Sequence, residues 1–202
     1  MKINSNLVLK GNQISLVPYL QEHVSIYNDW MKDPDILSQT ASEPLTLEEE
    51  YEMQKSWRID EKKCTFIIIA TENVGGEVVK NCKTTHSFSH LGKMIGDCNL
   101  YFNISEEPHT AEIEIMIAEP CARRKGFAQE TLSIFIDWAQ EALNVTKLVA
   151  KISIQNHASL NLFQKKFGFQ EVSRSEIFKE VTLESCSLLP EKSKIPWTSL
   201  VI

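Results

Sequence analysis

One short stretch constrains the fold more than any other. Residues Arg123-Arg124-Lys125-Gly126-Phe127-Ala128 follow the strand-like run Ala111–Ile117 and open a helical pattern. In that pattern Ala128, Leu132, Phe135, Ile136, Ala139 and Leu143 recur at i, i+4, i+7 and i+8, so they share one buried helix face. A strand, a loop with a single glycine and a helix N-terminus together form a concave anion site. The first helical N–H groups there have no intrahelical acceptor, and the helix dipole adds partial positive charge. Gly126 carries no Cβ, so a ligand can approach the backbone closely.

Two familiar phosphate loops fit poorly. A Walker loop ends in Gly-Lys-Ser/Thr, whereas Gly126 is followed by Phe127 and Ala128. The dinucleotide fingerprint needs three glycines and this loop has one. An exposed basic turn before an ordinary helix would show the same six residues, so the rest of the chain must discriminate. The net charge of −6 argues against nucleic acid as the main partner, while the Arg123-Arg124-Lys125 cluster suits a small polyanion. The start, Met1 to Asn6, is polar and gives no leader pattern, and no run approaches the roughly 18 apolar residues of a membrane span. The five cysteines (Cys64, Cys82, Cys98, Cys121, Cys186) are scattered without a C-x-x-C pair, which predicts neither a disulfide framework nor a zinc site. A cytosolic location is expected, and no metal.

Residues 13–18 alternate and predict a first strand, and His23–Met31 a helix stopped at Asp33-Pro34. Thr46-Leu47-Glu48-Glu49 is a capping box that starts a helix to about Asp60. Thr65–Ala70 is apolar and β-branched, as in a central strand covered on both faces. Residues 71–93 lack periodicity and read as a long flexible connection in which His86 and His90 are exposed and unliganded. Strands are expected at Met94–Phe102 and Lys147–Ile154. Asn156 can cap a helix with Leu160, Phe163 and Phe167 on its apolar face, stopped by Gly168. An antiparallel pair follows at 169–173 and 178–183, and residues 185–202 read as a mobile tail. The order β-α-α-β-β-β-α-β-α-β-β predicts one α/β (α+β) domain on a single mixed sheet.

Arg123, Gly126 and Ala128 match Gln/Arg-x-x-Gly-x-Gly/Ala, which resembles the pyrophosphate loop of the GCN5-related N-acetyltransferases. Asn156 to Phe169 resembles that family's Asn-x-x-Ser/Ala…Tyr/Phe-x-Lys-x-Gly-Phe segment, at the expected separation and with a strand between the two. Residues 40–48 with Tyr51 and Ser56-Trp57, Glu112-Ile113-Glu114, Met116 to Pro120 and Phe178 to Leu183 are similar to the N-acetyltransferase 9 subfamily. The likeness covers about residues 1–184, apart from 71–93. It implies a mostly antiparallel mixed sheet with helices on both faces and splayed central strands. Acetyl-CoA would be the co-substrate, and protein N-termini the acceptors, with tubulin as the substrate.

By the same resemblance, Met116, Ile117 and Ala118 offer backbone groups to the pantetheine arm, and Arg123, Arg124, Lys125, Gly126, Phe127 and Ala128 offer amides to the pyrophosphate. The Arg123 and Arg124 side chains either add charge there or stay solvated. Asn156 either bonds the pantetheine or simply caps its helix; Ser159 and Phe163 complete the implied cofactor set. Glu112 and Glu114 share a strand face, and if that face lines the cleft one of them accepts the amine's proton or holds its ammonium. Phe163 stands where many relatives have the Tyr that reprotonates the leaving thiolate. Tyr101, Cys98 or water are the substitutes, and the general acid stays unassigned. A lysine or small-amine acetyltransferase is the alternative, as is a catalytically weak member that binds microtubules.

Overall fold

In the computed structural model, which describes residues 2–71, 82–85, 87–102, 107–185 and 195–201, alternation and helical periodicity resolve into one sheet with helices on its two faces. The strands are β1 (Leu7–Lys10), β2 (Ile14–Pro18), β3 (Lys63–Ala70), β4 (Lys93–Tyr101), β5 (Thr110–Ile117), β6 (Lys147–Ser153), β7 (Gln170–Ser175), β8 (Glu180–Glu184) and β9 (Thr198–Val201). The helices are α1 (Val24–Trp30), α2 (Pro34–Gln39), α3 (Leu47–Ile59), α4 (Phe127–Leu143) and α5 (His157–Asn161). Sheet order is β7-β8-β6-β5-β4-β3-β2-β1-β9. Among the described residues every strand pair is antiparallel except β5 with β6.

The central strand β3 is buried along its whole length because both faces are covered, as its continuous apolar run requires. Phe66 and Ile68 face α4, where Phe66 meets Phe135 and Trp138 edge-on at 5.7 and 5.3 Å. Ile67 and Ile69 face the opposite way, into a second core with Tyr19, Tyr27 and Trp30. Lys63 and Thr65 share the parity of Ile67, so the second face turns from apolar to polar along the strand. That change of character places the cleft.

The capping box forms as expected: Glu49 N–H donates to Thr46 Oγ1 at 3.3 Å, and Thr46 N–H to Glu49 Oε2 at 2.8 Å. Asp33-Pro34 does more than stop a helix, which corrects the sequence expectation. Asp33 Oδ1 accepts the Asp35 N–H at 2.9 Å, and Pro34 enters the first turn of α2, where its missing N–H costs nothing. The chain end also departs from the expected mobile tail. Residues 198–201 pair with β1, and Ile195 and Trp197 pack on the main core. All four β9 side chains are exposed, so this strand is held by backbone bonds that leave no hydrophobic pattern in the sequence. Part of the 71–93 connection lies outside the described residues, His86 included. The described part is packed rather than loose, with Cys82 and Phe88 buried and Phe88 stacked on His23 at 5.8 Å. His90 is exposed, and Cys186 lies outside the described residues. Among the described residues no helix is long and apolar enough to cross a membrane.

Candidate active site

Strands β5 and β6 start together and then part. Their parallel register runs through Thr110↔Lys147, Ala111↔Leu148 and Glu112↔Val149 only, after which β5 stays with β4 and β6 with β8. The Ala118 N–H reaches the Ile95 carbonyl at 2.9 Å, so these two residues form a hydrogen-bonded pair. Antiparallel alternation makes Met116/Asp97 and Glu114/Asn99 pairs of the same kind. The backbone groups of Ile113, Ile115 and Ile117 therefore point away from β4, into the gap that β6 leaves. Gly96, opposite Ile117, is required by this close pairing: a Cβ there would sit 1.9 Å from the Met116 carbonyl oxygen.

The loop that follows is fastened from within. The Arg123 guanidinium donates from Nε to the Ile117 carbonyl and from Nη2 to the Ala118 carbonyl, each at 3.0 Å, and the Arg123 N–H donates to Pro120 O at 3.2 Å. Two sequence expectations change as a result. Ala118 has both backbone groups engaged inside the protein and the Ile117 carbonyl is taken by Arg123, so the strand groups that face the gap unengaged are those of Ile115 and the Ile117 N–H, instead of those of Met116 and Ala118. Arg123, although exposed, uses its guanidinium to brace the turn. Beyond it, Arg124 (φ 62°) and Gly126 (φ 90°) are left-handed and turn the chain into α4. Gly126 is the N-cap, without a side-chain cap, and its carbonyl takes the Glu130 N–H at 3.0 Å. The N–H groups of Phe127, Ala128 and Gln129 thus lie at the free end of a 17-residue helix. Arg124 and Lys125 are exposed beside them, whereas the Phe127 side chain is buried in the core and contributes only its backbone.

The gap opens onto a cleft of about 620 Å³ lined by Glu112, Glu114, Met116, Asn156, Ser159 and Phe163, among others. The six residues of the anion loop, with Ile117 and Ala118, do not line it; they lie at the end of the gap. Both glutamates face the cleft but differ in setting. Glu112 is paired with Lys151 Nζ on β6 at 2.9 Å. Glu114, half-buried, lies beside Tyr101, Asp97 and Lys63; desolvation, together with the like charges of Asp97 and Glu112, pushes its carboxyl up against the opposing pull of Lys63. Lys63 donates to Tyr101 Oη at 2.6 Å and sits 3.1 Å above the Trp57 ring, and burial pulls its ammonium down. Asp97 accepts from Asn99 Nδ2 at 2.9 Å and from Tyr27 Oη at 3.4 Å, and burial raises it to about 6.

Asn156 acts as the helix cap, its Oδ1 accepting the Ser159 N–H at 3.1 Å, while its Nδ2 donates to Gln39 of α2 at 3.2 Å. Phe163 is buried edge-on against Phe169 at 5.0 Å, at a π-helical turn over Leu162–Lys166. Of the substitutes for the missing tyrosine, Cys98 is excluded: it is fully buried in the α4-side core, on the face of β4 opposite the cleft. Tyr101 is in the cleft, and burial raises its phenol so that it keeps its proton. Sequence reasoning missed Lys63, Asp97 and Asn99. A signal existed: Asp97, Asn99 and Tyr101 recur at period two within the otherwise apolar strand β4. The fold also brings the sulfurs of Cys82 and Cys121 and a carboxylate oxygen of Glu119 within 4.8 Å of one another, a proximity that the cysteine spacing does not show.

Comparison with known proteins agrees with this architecture. Residues 13–170 match the family model described as an acetyltransferase (GNAT) domain. An N-acetyltransferase 9-like protein of Nematostella vectensis is 47% identical over 184 residues, covering 91% of this chain and 88% of the relative. Alpha/beta-tubulin-N-acetyltransferase 9 of Homo sapiens is 42% identical over 187 residues, covering 91% and 84%. Among solved structures, spermidine N-acetyltransferase from Vibrio cholerae in complex with CoA and spermine superposes with a TM-score of 0.67 at 19% identity, over 94% of this chain and 98% of that one. Splayed strands, a free helix end and an acidic cleft floor thus occur in a chain that belongs to the GNAT acetyltransferase family, within the group of the N-acetyltransferase 9 proteins.

Proposed function

We propose that this enzyme transfers the acetyl group of acetyl-CoA to the α-amine of a protein N-terminus. The observation that carries the reading is the β5/β6 gap, which joins the free end of α4 to the Glu114–Tyr101 floor. The residues present suit the co-substrate. Free amides at Phe127, Ala128 and Gln129, with Arg124 and Lys125 beside them, hold a pyrophosphate, and the backbone groups of Ile115 with the Ile117 N–H hold an extended amide-bearing arm. Bound acetyl-CoA supplies an activated acyl group on a thioester. The amine nitrogen must attack as the neutral base. For an α-amine with pKa about 7.7–8.0 deprotonation near pH 7 costs about 1 kcal/mol, against about 5 for a lysine side chain.

Glu114, its carboxyl raised toward the working pH, takes the amine's proton, directly or through water. The N–C bond forms as the C–S bond breaks, and Tyr101, whose phenol keeps its proton, returns one to the departing sulfur. Glu112 is held by Lys151 and shapes the charge of the cleft. The human relative's name gives tubulin as its acceptor, and we extend that acceptor to this chain. The test is acetyl transfer to tubulin N-terminal peptides, the same peptides with blocked N-termini, and internal-lysine peptides. Turnover with the free α-amine alone is expected, and Glu114→Gln is expected to lower kcat about 10²-fold at unchanged acetyl-CoA affinity. Transfer to lysine alone overturns the assignment.

A further inference from the structure

We propose that Cys82, Glu119 and Cys121 form a binding site for a thiophilic divalent cation of the zinc class, separate from the acetyl-transfer cleft. The Cys82 and Cys121 sulfurs lie 3.2 Å apart, and a Glu119 carboxylate oxygen lies within 4.8 Å of both. Two thiolates and a carboxylate are a donor set that zinc accepts, leaving a fourth position for water or another ligand. Zn–S bonds of about 2.3 Å at a tetrahedral angle put two sulfurs about 3.7 Å apart, so this pair needs to open by only about 0.5 Å. A disulfide, with its bond of about 2.05 Å, would need the pair to close by more than 1 Å.

Glu119 is also already oriented. Trp30 Nε1–H donates to its Oε1 at 2.8 Å, the kind of outer contact that fixes a ligating carboxylate. None of the ion pairs among the described residues uses Glu119. Binding would displace the two thiol protons and leave the sulfurs as thiolates. The bound cation would then cross-link three parts of the molecule: the chain at Cys82, the turn Pro120–Ala122 and, through Trp30, helix α1. That turn leads directly into Arg123 and the anion loop, so the cation would brace the loop in addition to the Arg123 clasp.

The test is direct metal binding by the reduced full-length protein, followed by competition with a chromogenic zinc chelator and by the thiolate-to-metal absorption of a cobalt(II) sample. One zinc per chain and a thiolate band are expected. Cys121→Ser, a change at an exposed position, should weaken zinc at least about tenfold and abolish the band; Trp30→Phe should weaken it about tenfold. Zinc held with undiminished affinity by Cys121→Ser, or no stoichiometric zinc at all, overturns the site. A Cys82–Cys121 disulfide found in the unreduced protein, in place of zinc, overturns it in favour of a redox pair.

Discussion

Glu50 shows at the scale of one residue what the polar cluster costs. It is 2% exposed, its Oε2 has no hydrogen-bond partner among the described residues, and burial with the neighbouring Asp97 raises its carboxyl to about 7. A carboxyl that titrates higher in the folded chain than in the unfolded one favours folding at low pH. That contribution is complete below 4.5 and is lost as the pH climbs through about 7. Glu50→Gln should therefore raise the thermal midpoint near pH 8, by an amount equivalent to about 1–2 kcal/mol, and change it little near pH 5. Melts of both proteins at the two pH values decide this; an equal gain at each would mean that the carboxylate's charge is not the cause. His23 sets the acid side. Its Nδ1 accepts the Leu20 N–H at 3.0 Å, and burial lowers the ring to about 4, so its contribution fades as the pH falls from 6.5 toward that value.

At the scale of elements, the junction of β5 with α4 depends on one backbone conformation. Gly126 has φ 90°, and a Cβ built there meets no atom within 4 Å among the described residues beyond its chain neighbours. Packing would tolerate alanine, but the left-handed backbone costs an L-residue roughly 1–2 kcal/mol. Gly126→Ala should lower stability by about that amount and weaken acetyl-CoA about tenfold or more by moving the amides of the first turn, as calorimetry on one sample would read. A stability loss with unchanged affinity would mean that this turn does not hold the pyrophosphate. The π-helical turn after α5 is a similar local device. It carries the buried Phe163 at the cleft edge, where a regular helix would present a different azimuth.

For the whole molecule the order of the sheet separates stability from chemistry. β9 lies on the outer edge beyond β1, with β2, β3 and β4 between it and the gap at β5. Removing residues 195–202 strips a strand from β1 and exposes the surface under Ile195 and Trp197. A fall in stability of about 2–4 kcal/mol is expected from the lost apolar burial, with acetyl-CoA affinity unchanged. Denaturant melts and ligand titration of the truncated chain test both halves of that statement. Loss of acetyl-CoA binding at temperatures where the truncated chain stays folded would contradict the separation.

The sequence by itself determined whatever rests on short-range pattern. The periods of α4 and β3, the Thr46 capping box and the Arg123–Ala128 junction are written in neighbouring residues, because helices and strands impose their own spacing on apolar side chains. Equal parity put Glu112 and Glu114 on one face before any fold was known. Only the tertiary structure decided what crosses between elements. It set Glu114 against Lys63 and Tyr101, gave Glu112 to Lys151, and folded Arg123 back onto the Ile117 and Ala118 carbonyls. It also joined Cys82 to Cys121 across 39 residues and the chain end to β1. Those contacts depend on register and on which strands are neighbours, and distance along a chain carries no record of either.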